Sequence, residues 1–218
     1  MNNLYKYPRT PHMPFSKGAT KDDRVLTDMK HFIGKQIVIT EKMDGENTTI
    51  YSNYYHARSL SSKHQKYHSY LLSNILPQIQ YLLPENIHIC GEYLYAKHSI
   101  FYENLPSYFL VFSIWNDKEC FSWEETKEYC KKWNLIHVPE LYIGTYDEKK
   151  VKEIAENVIT KGGEGIVIRT VDSFSYDDFS LHVAKYVREG HVQTDKHWSL
   201  QAITTNKLEE THENYNCR

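Results

Sequence analysis

The sequence predicts an α+β domain built on antiparallel sheets with flanking helices, and three observations carry that prediction. Short β-rich runs recur along the chain, separated by turn signals or long excursions. Three helical stretches fall between them, which suits antiparallel sheets with helices set to the side. The chain has 218 residues with a 40% apolar share, enough to bury a sizeable core.

The opening residues, MNNLYKYPRTPHMPFSKGATKDD, are rich in Pro, Gly and polar groups, so residues 1–34 should form an extended arm packed on the domain. Next, KQIVITEKM (35–43) and NTTIY (47–51) are β-rich runs on either side of Asp44 and Gly45. An Asp-Gly pair between such runs predicts a hairpin, with Lys42 just before its turn. Tyr67, Leu71, Ile75, Ile79 and Leu82 recur at helical spacing, and Pro77 must kink that helix or start a second one. NIHICGEYLY (86–95) and SYFLVFSIW (107–115) read as strands. Ser122, with Glu125 three residues later, is a capping box that opens a helix. A strand near 141–143 leads into a helix over 148–159, and EGIVIR (164–169) and LHVAKYV (181–187) are the last strands. The main domain should span 35–188. Residues 189–218 form a short polar tail, with Trp198 as its one large anchor, too short for a large C-terminal OB domain.

The formal net charge of -2 requires any nucleic-acid partner to be held by a local basic patch. Cys90, Cys120, Cys130 and Cys217 form no CxxC pair, which argues against a structural zinc or a disulfide framework and suits a reducing compartment. No signal peptide is recognisable, and no stretch approaches the roughly 20 apolar residues that span a bilayer. The sequence therefore reads as a soluble, cytoplasmic protein without membrane contact, and nothing in it marks an obligate protein partner.

Four segments carry the chemistry: EKMDG, CGEYL, GGEGIVIR and VAKYV. Each sets an ionisable residue in or beside an apolar β run, namely Lys42, Glu92, Glu164 and Lys185. Lys-x-Asp-Gly alone is a modest signal, since a charged surface turn would look the same. The order of the segments is more specific. Together with Val111–Ile114 (Val-Phe-x-Ile), it resembles the covalent nucleotidyltransferase superfamily of ATP-dependent DNA and RNA ligases and mRNA capping enzymes. The arm, YPRTPHMPFSKG, and the late segment HVQTDKHW are similar to small stand-alone RNA ligases of bacteria and phages, which extends the resemblance over nearly the whole chain.

The resemblance implies a nucleotidyltransferase domain of the ATP-grasp-like ligase type. It also implies a three-step reaction: the Lys42 amine takes AMP from ATP, AMP passes to a 5′-phosphate on RNA, and a 3′-hydroxyl displaces it. Glu41, Asp44 and Gly45 flank Lys42 in the nucleotide-binding set. Glu92 is similar to the carboxylate that binds the ribose hydroxyls, Phe112 to the aromatic that stacks on the purine, and Arg58 to the arginine that holds the nucleotide and the RNA end. Glu164 would bind a divalent cation, Mg2+ or alternatively Mn2+, and oxygen ligands suit such an ion better than zinc. Lys185 would meet the α-phosphate. The family pattern has a second lysine two residues later, where this chain has Val187, so Arg188 would serve as an RNA contact or one basic contact is missing. The alternatives are a GTP-dependent capping-type guanylyltransferase, a DNA ligase, and a non-catalytic binder of nucleotide or nucleic acid.

Other features have plainer readings. His64 and His68, and separately His191, Asp195 and His197 around Trp198, could hold a metal but serve as well as surface or anchoring groups. Tyr51, Tyr54 and Tyr55 fit sheet packing better than base stacking. Lys6, Arg9, Lys17 and Lys21 either touch phosphates or keep the arm solvated.

Overall fold

A computed structural model of the protein describes residues 3–61, 65–190 and 203–210. Its elements run β1 (Gln36–Glu41), β2 (Glu46–Ile50), β3 (Tyr55–Ala57), α1 (His68–Tyr70), α2 (Leu76–Ile79), β4 (Ile87–Tyr93), β5 (Phe109–Asn116) and β6 (Glu119–Cys120). They continue with α3 (Trp123–Lys132), β7 (Ile136–His137), β8 (Glu140–Thr145), α4 (Glu148–Thr160), β9 (Gly165–Thr170), β10 (Phe174–Ser175), α5 (Phe179–His182) and β11 (Val183–Val187). One sheet has the order β11-β9-β1-β8, and the other the order β10-β6-β5-β4-β2-β3. All neighbours on these two paths are antiparallel, while β7 adds to β5 in parallel.

The expected hairpin at Asp44–Gly45 does not form. β1 pairs with β8 on one edge and β9 on the other, while β2 lies between β3 and β4 in the second sheet. Ile37, Val38 and Ile39 are all fully buried, so β1 is a central strand covered on both faces, with its two edges taken by β8 and β9. Such a strand has no edge left for β2, so the turn carries the chain from one sheet to the other and puts Lys42 at the crossing.

Ile37 and Ile39 pack with Ile166 and Ile168 against Val151 and Ala155 of α4, joined by Met13, Met29 and Phe32 from the arm region. The opposite face of β1 sends Val38 toward Leu110 and Trp123, between the sheets. On the far side of the second sheet, Ile89, Val111 and Ile114 meet Leu71, Leu76 and Ile79 and the Trp133 indole at the end of α3. α3 starts at the expected capping box, with Glu125 N donating to Ser122 Oγ and Ser122 N donating to Glu125 Oε2. Asp147 Oδ1 accepts from Lys149 N and Lys150 N to start α4.

The helix expected around Pro77 is broken into α1, a π-helical turn over Leu71–Ile75, and α2. The wider turn slips the phase by one residue, so Leu76 rather than Ile75 is buried, and Pro77 falls in the first turn of α2, where its missing N–H is tolerated. The last strand begins at Val183 rather than 181 because α5 takes the preceding turn.

The arm docks on the free edge of β11: Lys185 N donates to Pro11 O, Met13 N to Lys185 O and Gly18 N to Val187 O. Residues 203–210 lie against the 95–105 loop through Lys97 N to Thr204 O and Lys207 N to Tyr102 O. Tyr51, just past β2, and Tyr55, in β3, are buried, whereas Tyr54 is exposed. Cys90, Cys120 and Cys130 are free and buried, and Cys217 lies outside the described residues. No helix among the described residues is long and apolar enough to cross a membrane.

Candidate active site

A cleft of about 790 Å3 opens between the sheets, and Lys42, Glu92, Phe112, Arg58 and Lys185 all line it. Lys42 sits at the exit of β1, where its N–H donates to Gly165 O at the start of β9. Its Nζ lies 2.7 Å from Glu164 Oε2, with the lysine side chain 24% exposed and that of Glu164 only 7%. The pairing works because Glu164 immediately precedes β9, which passes both β1 and β11, and a side chain at its first residue, Gly165 (φ 153°), would run into the Tyr186 carbonyl.

Burial alone would lower the Lys42 pKa, but Glu164, Glu92 and Asp44 together raise it above the ordinary lysine value. Glu92 is the reverse case: burial pushes its carboxyl up to about 8, with the Glu164 charge adding to the rise and Lys42 opposing it. Glu92 Oε1 accepts from Gly45 N at 3.2 Å. Lys185 is held below its ordinary value, first by burial and then by the Lys42 ammonium, against the pull of Asp23 and Glu164. Glu41 also lines the cleft, and burial raises its carboxyl.

Phe112 owes its place to a β-bulge. Cys90 pairs with Ser113 and the next residue, Gly91, with Val111, so Phe112 is the extra residue of β5 and turns toward the cleft. Asp44 is held within the turn itself. Its Oδ2 accepts from Ser99 N, Ser99 Oγ and Ile100 N, each at 2.7 Å, and its own N–H donates to Tyr102 Oη. It thus anchors the turn and is not among the cleft-lining residues. Arg188 also lies off the cleft. β11 ends at Val187, and Arg188 lines a second cavity of about 530 Å3 with Lys17 and Glu156.

Several lining residues had no assigned role. Asn47 Oδ1 is buried with no hydrogen-bond partner among the described residues, and Arg169 ends the EGIVIR run. The Arg169 guanidinium donates to Phe121 O at 2.7 Å and lies 5.2 Å from the Phe174 ring centre. A charged group closing an apolar strand was the signal for Arg169. Tyr7 and Asp23 come from the arm, where no periodicity marks them.

Of the other candidates, His68 is buried with its Nε2 2.8 Å from Glu46 Oε1. His64, His191, Asp195, His197 and Trp198 lie outside the described residues. Arg9 lines the cleft and bonds Asp22 O, while Lys17 pairs with Glu156. Among the described residues no group of three or more His, Cys, Asp or Glu is placed to hold a metal ion. The donors at hand are carboxylate oxygens, and the repulsion that helps push Glu92 up is what a cation would relieve. These residues fit a hard divalent ion that completes its shell with water and substrate phosphates.

The family model described as RNA ligase matches residues 35–187. Among solved structures, an archaeal ATP-dependent RNA ligase (form 1) is similar at a TM-score of 0.62 and 15% identity, over 86% of this chain and 49% of that one. A putative ATP-dependent DNA ligase from Aquifex aeolicus is similar at 0.59 and 25% identity, over 86% and 50%. A Naegleria gruberi RNA ligase mutant solved with ATP and Mn is similar at 0.56 and 17%, over 76% and 53%. The chain spans about half the length of these structures. No curated protein sequence matches it significantly.

Proposed function

The chain belongs to the RNA ligase family, and from that premise we propose that it is an ATP-dependent RNA ligase, joining 5′-phosphate and 3′-hydroxyl RNA ends through lysyl-AMP and RNA-adenylate intermediates. The observation that carries this reading is the Lys42 amine, 2.7 Å from a buried carboxylate at the floor of a cleft whose walls bring Glu92, Lys185 and Arg58.

Only the free amine of Lys42 can attack phosphorus, and holding an ordinary lysine neutral at physiological pH costs about 4 kcal/mol. The acids around Lys42 add to that cost. Mg2+ or Mn2+, held by Glu164 and the nucleotide phosphates, would supply the positive charge that offsets the acids and the charge developing at the α-phosphate. As the N–P bond forms and pyrophosphate leaves, the amine gives up its proton, and Glu164 Oε2 is an acceptor already in hydrogen-bond contact. Glu92 receives the ribose hydroxyls, Phe112 stacks on the purine, and Glu41 and Gly45 frame the nucleotide. Lys185 and Arg58 hold the α-phosphate and then the RNA 5′-phosphate, with Arg188 as a further RNA contact. Asp44 acts through the turn rather than by touching the nucleotide.

In this reading residues 35–188 act as a nucleotidyltransferase domain of the ATP-grasp-like ligase type. One observation favours a second reading, a DNA ligase: the 25% identity to the putative Aquifex DNA ligase. A ligation panel decides between them, with nicked, broken-loop and single-stranded RNA and matched DNA substrates, each supplied with ATP or GTP. The proposal expects RNA sealing with ATP. Preferential sealing of DNA nicks would establish the second reading, and labelling by GTP in preference to ATP would indicate capping-type chemistry.

A further inference from the structure

The family match begins at residue 35, so it assigns nothing to the arm, yet Tyr7, Pro8, Arg9 and Thr10 line the cleft. Of these, Tyr7 touches a residue with a stated task. Its ring centre lies 5.1 Å from that of Phe112 at an interplanar angle of 68°, the edge-on arrangement that aromatic pairs favour. The other side of Tyr7 meets Phe179 of α5 at 5.3 Å and 84°.

Phe112 needs such support more than an ordinary strand residue does. As the extra residue of the β4–β5 bulge it has no cross-strand partner, and it is only partly buried. Tyr7, in contrast, follows two anchored residues. Tyr5 N donates to Tyr51 Oη at 2.8 Å, and Tyr176 Oη donates to Lys6 O at 2.5 Å, so the two residues before it are clamped to different parts of the second sheet's surround. A tyrosine recruited for stability alone could be buried away from the cavity. This one is held in its wall.

We infer that Tyr7 is a positioning residue: it sets the Phe112 ring for stacking and closes the base end of the nucleotide cleft, which makes the arm a working part of the active site. The inference rests on the reading of Phe112 as the purine-stacking residue. Its reach is the nucleoside part of the substrate, not the phosphates.

The experiment measures initial rates of protein labelling from α-labelled ATP with the full chain and with Tyr7→Ala, Tyr7→Leu and Tyr7→Phe. Rates are normalised to the active fraction, so partial unfolding of a variant does not enter KM. Losing the ring should raise KM for ATP about tenfold in both Tyr7→Ala and Tyr7→Leu, with kcat within about threefold, and Tyr7→Phe should bring KM back to within about threefold of the unaltered chain. An unmoved KM in the Ala and Leu variants, or a fall in kcat alone, overturns the inference. ATP affinity is measured on the same variants by titration calorimetry. If the unaltered chain binds ATP without becoming labelled, the ligase reading fails, and the affinity comparison still decides the role of Tyr7.

Discussion

Glu92 shows how one residue can carry a conflict between folding and function. It sits on β4 facing Lys42 and Glu164, and burial raises its carboxyl from the ordinary 4.5 to about 8. Between those two values the folded protein holds a proton that the unfolded chain has released, so folding stability falls as pH rises through this window. Glu92→Gln removes the titration. The variant should therefore gain stability relative to the unaltered protein as pH goes from about 5 to about 8, by on the order of 1–3 kcal/mol. Urea denaturation of both proteins across that range tests this, and parallel stability curves would contradict it. The same substitution should weaken nucleotide binding, since the carboxylate that is costly to bury is the group assigned to the ribose.

At the scale of elements, the turn between β1 and β2 decides where the nucleophile stands. The Asp-Gly signal was legible in the sequence, but its meaning was not, because one chain segment cannot show that β8 and β9 already occupy both edges of β1. Gly45 is required here by close approach: a Cβ would lie 2.6 Å from the Tyr93 carbonyl oxygen. Asp44 ties the turn to Ser99 and Ile100 through three bonds to one oxygen, and the next residues of that loop are braced by Tyr102 and Asn206. Asp44→Ala should cost about 2 kcal/mol of stability, the scale for losing hydrogen bonds to a charged group. It should also slow Lys42 labelling through kcat, because the turn shifts while the nucleotide contacts remain. A variant with normal stability but a raised KM for ATP would show that Asp44 touches the nucleotide after all. The broken helix at Pro77 makes a similar point. Its apolar spacing was readable, but the π turn that moves Leu76 into the core depends on packing against the second sheet.

At the scale of the whole molecule, the order Lys42, Glu92, Glu164, Lys185 was legible because each ionisable residue lies in or beside an apolar run, and Phe112 was named through the family resemblance; Lys42, Glu92, Phe112 and Lys185 line one cleft, with Glu164 against the Lys42 amine. The arm's contribution was not legible, since Tyr7 and Asp23 reach the cleft only after residues 11–18 have docked on β11. β11 ends at Val187, and Lys185 within it and Arg188 beyond it line different cavities. Lys185→Ala should therefore reduce labelling from ATP at least tenfold, the range for removing a group that stabilises transition-state charge. Arg188→Ala should leave labelling near normal and weaken sealing of pre-adenylylated RNA. Equal loss of labelling in both variants would put the two residues on the nucleotide together.

The most direct test of the central claim is covalent. The chain incubated with α-labelled ATP and magnesium should carry acid-labile label, and Lys42→Ala, which removes the amine 2.7 Å from Glu164 Oε2, should carry none. Normal labelling of that variant would contradict the assignment of Lys42 as the nucleophile.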